Sequence, residues 1–204
     1  MCAELQDRTI LRGETNIDQR GSSIPKIMRV FLMPRAKANP HAVQAILNAD
    51  AIVLGPGDLY TSVIPNLLVR DIPGALQRTS ATLIYVCNLM TKLGETDDFS
   101  ASQFVSEINR YLGGKTIDWA LVNTAPIEQE IQERYAIERA RPVYADLDRL
   151  EEQGVKYVGS PFADNNTPVR HNSPTLSEAI LRLVHSNRIV EAGTQLRQMS
   201  SLNQ

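Results

Sequence analysis

A chain of 204 residues, 43% hydrophobic and 22% charged, can bury one substantial core and needs no second domain. Its formal net charge of -2 excludes a broad basic field for nucleic acid or an anionic membrane, so any anion must be bound locally. Cys2 and Cys87 lie far apart without ligand-like spacing, and neither a disulfide framework nor a cysteine metal site is indicated.

No apolar stretch approaches the ~20 residues that span a bilayer, and the N-terminus lacks the apolar core of a signal peptide. A reducing, cytoplasmic setting is expected. Met1 to Gln6 runs straight into Asp7 to Glu14, which reads as a strand and turn already inside a sheet, so the chain is expected to begin in mid-domain. Thr9 to Leu11 and Ile27 to Met33 are short and rich in β-formers, with the polar stretch Asn16 to Ser23 as a loop between them. Asn39-Pro40 supplies an N-cap and a proline for a short helix to Leu47. Ala51 to Leu54 is a buried strand, Pro65 to Arg78 a helix broken near Pro73, and Thr82 to Cys87 the next strand.

Ser100 and Gln103 have capping-box spacing ahead of Phe104, Val105, Ile108, Tyr111 and Leu112, and Gly113-Gly114 ends that helix. Trp119 to Val122 is a strand, and Pro126 to Tyr135 a helix with a Glu-rich outer face. Val143 and Lys156 to Gly159 are weaker strand candidates. Phe162 to Asn172 is a polar loop, and Ser173-Pro174 caps a last amphipathic helix carrying Leu176, Ile180, Leu181 and Val184. Strands alternating with helices predict a Rossmann-like α/β sandwich of three layers with a mostly parallel sheet. We expect one domain over residues 1–187 and a frayed tail over 188–204.

Twelve residues, Gly55-Pro56-Gly57-Asp58-Leu59-Tyr60-Thr61-Ser62-Val63-Ile64-Pro65-Asn66, follow the apolar run Ala51 to Leu54 directly. Glycine permits close backbone approach, Thr61 and Ser62 add hydroxyl donors, and crevices at strand carboxyl ends are where open α/β sheets bind ligands. A plain strand-to-helix turn fits the same residues. A second loop, Cys87 to Ser100, also begins where a buried strand ends, and neighbouring strands would make the two loops walls of one crevice. It offers the amide of Asn88, the hydroxyls of Thr91 and Thr96, close approach at Gly94, and the carboxylates of Glu95 and Asp97 for sugar hydroxyls or hydrated Mg²⁺. A solvated loop capping the next helix is the alternative.

Carboxylates beside a bare phosphate would repel it, so Asp58, Glu95 and Asp97 favour a nucleotide-sugar or diphosphate diester. Lys92, Arg134 and Arg170 are candidate counter-cations. Tyr135 is placed to stack on a base or to pack against the sheet. His171 is a candidate acid or base or a structural hydrogen-bonder, and Asn123-Thr124 a third wall or a cap. Neither HExxH nor GxxxxGK[ST] occurs.

The stretches GPGDLYTSVIPNLLV and VCNLMTKLGETDDFSAS, followed by Arg134-Tyr135 and Arg170-His171, resemble the 2-phospho-L-lactate transferase-like (CofD-like) superfamily, and within it the gluconeogenesis-factor branch. The similarity runs from about Leu5 to Val184. It implies a Rossmann-like fold and a phosphate-containing nucleotide ligand. In the gluconeogenesis-factor branch the implied ligand is a UDP-sugar such as UDP-N-acetylglucosamine, bound for regulation of carbon metabolism, envelope synthesis and cell shape, with no cofactor required. In the transferase branch it is a GDP-linked donor whose phospho-acid group passes to a deazaflavin, with Mg²⁺. Both loops, Tyr135 and Arg170 match positions associated with the ligand crevice; Tyr135 and Arg170 most resemble UDP-sugar contacts.

Three departures stand out. The family's N-terminal glycine-rich segment has no match here, Asp58 stands where the family has Ser, and Asn172 where it has Asp. The expectation is therefore a UDP-sugar-binding regulatory protein with no catalytic residue. The alternatives are the transferase and a truncated module that binds nothing alone. A truncated sheet exposes an apolar edge, so a homo-oligomer is also expected.

Overall fold

The computed structural model describes residues 1–21, 25–164 and 168–186. The expected tail lies outside the described residues. The chain opens with β1 (Cys2–Leu5), β2 (Ile10–Arg12), a one-turn helix α1 (Glu14–Asp18) and β3 (Ile27–Phe31). The three strands form an antiparallel sheet in the order β2-β1-β3. α1 corrects part of the loop expected after Asn16. Its one buried residue, Ile17, seats it in the main core.

Next come α2 (Pro40–Leu47), β4 (Ala51–Leu54), a single π-turn (Leu59–Val63), α3 (Ile64–Leu67), α4 (Ile72–Arg78) and β5 (Thr82–Val86). Asn39 caps α2 as expected, its side chain accepting the His41 N–H at 2.9 Å ahead of Pro40. The long helix from Pro65 is interrupted as foreseen. Asp71 turns into the left-handed region (φ +81°), and each proline lies in the first turn of its helix, where a missing N–H removes no helical bond.

The remainder comprises α5 (Ala101–Asn109), β6 (Trp119–Asn123), α6 (Gln129–Ile137), α7 (Leu147–Glu152), β7 (Lys156–Ser160), a short hairpin of β8 (Ala163–Asp164) and β9 (Arg170–His171), and α8 at 173–186. Gln103 closes its half of the capping box on the Ser100 N–H at 2.9 Å. The α8 cap is one residue earlier than expected: Asn172 Oδ1 accepts both the N–H and the hydroxyl of Thr175. Val143 forms no strand, and its N–H bonds the Leu89 carbonyl along the crevice loop. Within the polar stretch after Phe162, β8 and β9 pair antiparallel.

β4, β5, β6 and β7 form the main sheet in that order, all parallel. β5 is buried along its whole length, as expected for a central parallel strand covered on both faces. Because successive side chains alternate, Leu83, Tyr85 and Cys87 pack with Phe104, Val105, Ile108 and Leu150 on one face. Ile84 and Val86 join Leu121, Phe162 and Leu183 on the other. This is the three-layer α/β sandwich that the alternating elements predicted. No helix among the described residues is long and apolar enough to cross a membrane.

Candidate functional site

The parallel register sets Leu54 beside Tyr85, so the chain leaves β4 and β5 at the same end of the sheet and the two loops become neighbours. Gly55 has φ +80°, and a Cβ there would lie 3.0 Å from the Val86 carbonyl oxygen; the position needs glycine. Asn88 ties the loops together. Its Nδ2 donates to the Gly57 carbonyl at 3.0 Å, while its Oδ1 accepts the Tyr85 hydroxyl at 3.0 Å.

The π-turn then aims donors at a buried carboxylate. Tyr60 N–H donates to Glu95 Oε2 at 3.3 Å, and Thr61 Oγ1 to Glu95 Oε1 at 3.5 Å. The ring of Tyr60 corrects its reading as a ligand contact: it is buried in the core, with its phenol pushed up by burial and by Glu107. Ser62 and Asn66 are exposed, and Asn66 Nδ2 donates to the Ser62 carbonyl at 2.8 Å. Thr91 and Thr96 are buried. Their hydroxyl oxygens accept the main-chain N–H groups of Arg141 (3.0 Å) and Lys92 (2.9 Å), so both threonines belong to the loop's frame.

Lys92 is the electrostatic centre. Its ammonium lies 2.6 Å from Asp58 Oδ2 and 3.4 Å from Glu95 Oε1, and it also pairs with Asp18 of α1. Burial opposes the charge on Lys92, but these carboxylates outweigh it and hold the ammonium above its ordinary range. Burial pushes the Glu95 carboxyl up to about 7; Lys92 draws it down, and Asp58 adds to the rise.

Arg20 is 6% exposed and donates from Nη1 to the Pro25 carbonyl at 2.7 Å, while its Nε has no partner among the described residues. Desolvation lowers its pKa, countered by Glu95 and Asp97. Gly94 (φ +81°) packs against it so closely that a Cβ would lie 2.9 Å from the Arg20 carbonyl oxygen. Asp97 accepts the Gly94 N–H at 2.8 Å. Sequence reasoning missed Asp18 and Arg20, which reach the crevice from 74 residues before Lys92 in the case of Asp18.

A crevice of about 580 Å³ is lined by Asp18, Arg20, Asp58, Thr91, Lys92 and Tyr135, among others; Glu95, its side chain 0% exposed, does not line it, which corrects its reading as a ligand contact. α6 supplies Tyr135 because Ile131, one turn earlier on the same face, is buried against Leu89 and Ile127. Tyr135 also lines an adjoining hollow of about 280 Å³ with Arg134, Glu138 and Pro168. Its hydroxyl accepts the Val169 N–H at 3.2 Å, which holds β9 beside α6; the next residue, Arg170, is exposed and is not among the residues lining either hollow.

The other two candidates serve the frame. His171 shares a ring nitrogen hydrogen bond with the Cys87 carbonyl at 3.0 Å, and burial lowers its pKa against that bond. Asn123 joins β6 to β8 by donating to the Ala125 carbonyl at 2.7 Å and accepting the Ala163 N–H at 3.1 Å.

The Mg²⁺ implied by the transferase branch meets a mixed donor set. Carboxylate oxygens of Asp18, Asp58 and Glu95 all lie within 4.8 Å of one another, which suits a hard cation. The Lys92 ammonium already pairs with all three, so the set does not fit a divalent ion.

A parallel sheet whose carboxyl-end loops wall a crevice bearing Asp18, Asp58 and Lys92 defines a Rossmann-like α/β protein with a candidate small-molecule site. The chain belongs to the CofD family: the family model described as 2-phospho-L-lactate transferase CofD matches residues 1–163. It is 42% identical over 180 residues to the gluconeogenesis factor of Halalkalibacterium halodurans, covering 87% of this chain and 55% of that protein. The gluconeogenesis factor of Bacillus subtilis is 35% identical over 184 residues, covering 89% and 57%. A crystal structure of a UPF0052 family member from Bacillus halodurans superposes with a TM-score of 0.83 at 41% identity, covering 88% of this chain and 57% of that one. The chain thus spans a little over half the length of these relatives.

Proposed function

We propose that the crevice binds a nucleotide-sugar of the UDP-N-acetylglucosamine type and that the protein acts as a cytoplasmic regulator linked to carbon metabolism, envelope synthesis and cell shape. The observation that carries this reading is the joining of two hollows at Tyr135. One is rich in carboxylates suited to sugar hydroxyls; the other is lined by an aromatic face and Arg134, suited to a base and its phosphates. Lys92 and Arg20 offset the acidic wall. The gluconeogenesis-factor names of the relatives support a regulatory role.

The family description as a phospho-lactate transferase favours a second reading, in which a GDP-linked donor passes its phospho-acid group to a deazaflavin. Calorimetric titration with UDP-N-acetylglucosamine, and separately with GDP and a deazaflavin, distinguishes the two. Saturable UDP-sugar binding is expected; product formation from the GDP-linked donor and deazaflavin would overturn the regulatory reading.

A further inference from the structure

We infer that Lys92 is the resident cation of the crevice: its ammonium takes the place that a divalent ion would hold among Asp18, Asp58 and Glu95, and clasps α1 to both loops. Three elements meet at this one nitrogen. Asp18 ends α1, Asp58 precedes the π-turn, and Glu95 lies on the loop after β5.

An ammonium has three N–H donors and no acceptor, and three carboxylates face it. The Glu95 side chain is 0% exposed and that of Lys92 29% exposed. The clasp therefore closes off the inner carboxylate, while Asp58, 41% exposed, stays at the mouth. A divalent ion needs the same oxygens at 2.0–2.6 Å and would stand within a few ångströms of a second positive charge. Removal of Lys92 leaves a hard, oxygen-only donor set whose members lie within 4.8 Å of one another. The inference concerns the chain's own charges and does not depend on the nucleotide-sugar reading.

Mn²⁺ titration of the full chain, followed by electron paramagnetic resonance and by calorimetry, tests it. Wild type is expected to show no saturable millimolar site. Lys92→Met is expected to gain one, at least tenfold tighter than any wild-type binding, with its lowered melting temperature partly restored by Mn²⁺; adding Asp58→Asn should remove the gain. Wild-type binding that Asp58→Asn abolishes would overturn the inference, as would a folded Lys92→Met protein without Mn²⁺ affinity. Should Lys92→Met fail to fold, ¹⁵N spectra of wild-type lysine ammonium groups decide. One ammonium signal protected from exchange at neutral pH, and lost in Asp58→Asn, is expected. Exchange as fast as that of the other lysines would contradict the clasp.

Discussion

The inner floor of the crevice and its outer rim are built on different terms. In the floor, Asn88, Thr91, Thr96, Glu95 and Lys92 are hydrogen-bonded or ion-paired within the protein. At the rim, Arg134 is exposed and paired with the exposed Glu130, and Tyr135 presents a half-buried ring held by its hydroxyl; Arg170, on β9, is exposed as well. A floor satisfied by its own partners fixes geometry and is costly to disturb; at the rim Arg134 pairs with Glu130 at 2.6 Å across exposed side chains, and an exposed pair contributes little to stability, so a ligand contact there costs folding little. Substitutions in the floor should therefore read out in stability, and those at the rim in binding.

The largest effect is expected from Gly94→Val. A side chain there meets the Arg20 carbonyl at 2.9 Å in a backbone with φ +81°, and urea denaturation should show a loss of about 3 kcal/mol or more, strain and clash combined. A loss below about 1 kcal/mol would mean that the floor is not close-packed at that point. Asn88→Ala removes one partner from each of two interior bonds and should destabilise by about 2 kcal/mol.

A pH titration of stability probes the same floor. The Glu95 carboxyl is raised from 4.5 to about 7, so the native state binds the extra proton between those values. Stability should therefore fall as pH rises from about 4.5 to about 7 and level off above it, with a slope of at most about 1.4 kcal/mol per pH unit. Glu95→Gln should flatten this slope in guanidinium melts between pH 5 and 8. An unchanged slope would assign the titration to another group. On exposed β9, Arg170→Ala should leave the melting temperature within about 2 °C while weakening UDP-sugar binding about tenfold through loss of a charge-assisted contact; a stability loss without a binding change would place Arg170 in the frame.

Local signals made much of the framework legible. The buried run Thr82 to Val86 and the Asn39-Pro40 cap act within a few residues, and so does the Gln103 contact to Ser100. Both glycine positions at the crevice were readable because their chemistry is that of the backbone itself. Asp18 and Arg20 were not, since nothing in or just after a five-residue helix marks it as packing against a loop beyond Asp58; the meeting of Asp18 with Lys92 and of Arg20 with Gly94 exists only once the antiparallel sheet docks on the main core. Tyr60 misled for the opposite reason. It sits within a ligand-like motif, but the π-turn rotates its ring inward and leaves only its N–H toward Glu95. Thr91 and His171 bond main-chain groups distant in sequence, which composition and spacing do not reveal, and Thr96 turns its hydroxyl back onto the Lys92 N–H of its own loop.

The most direct test of the contrast between floor and rim is calorimetric titration of the wild-type chain and of Tyr135→Ala with UDP-N-acetylglucosamine, paired with melts of both proteins. The account predicts saturable one-site binding to the wild type, weakened tenfold or more in Tyr135→Ala at nearly unchanged stability. No binding to the wild type, or equal binding to both proteins, would contradict it.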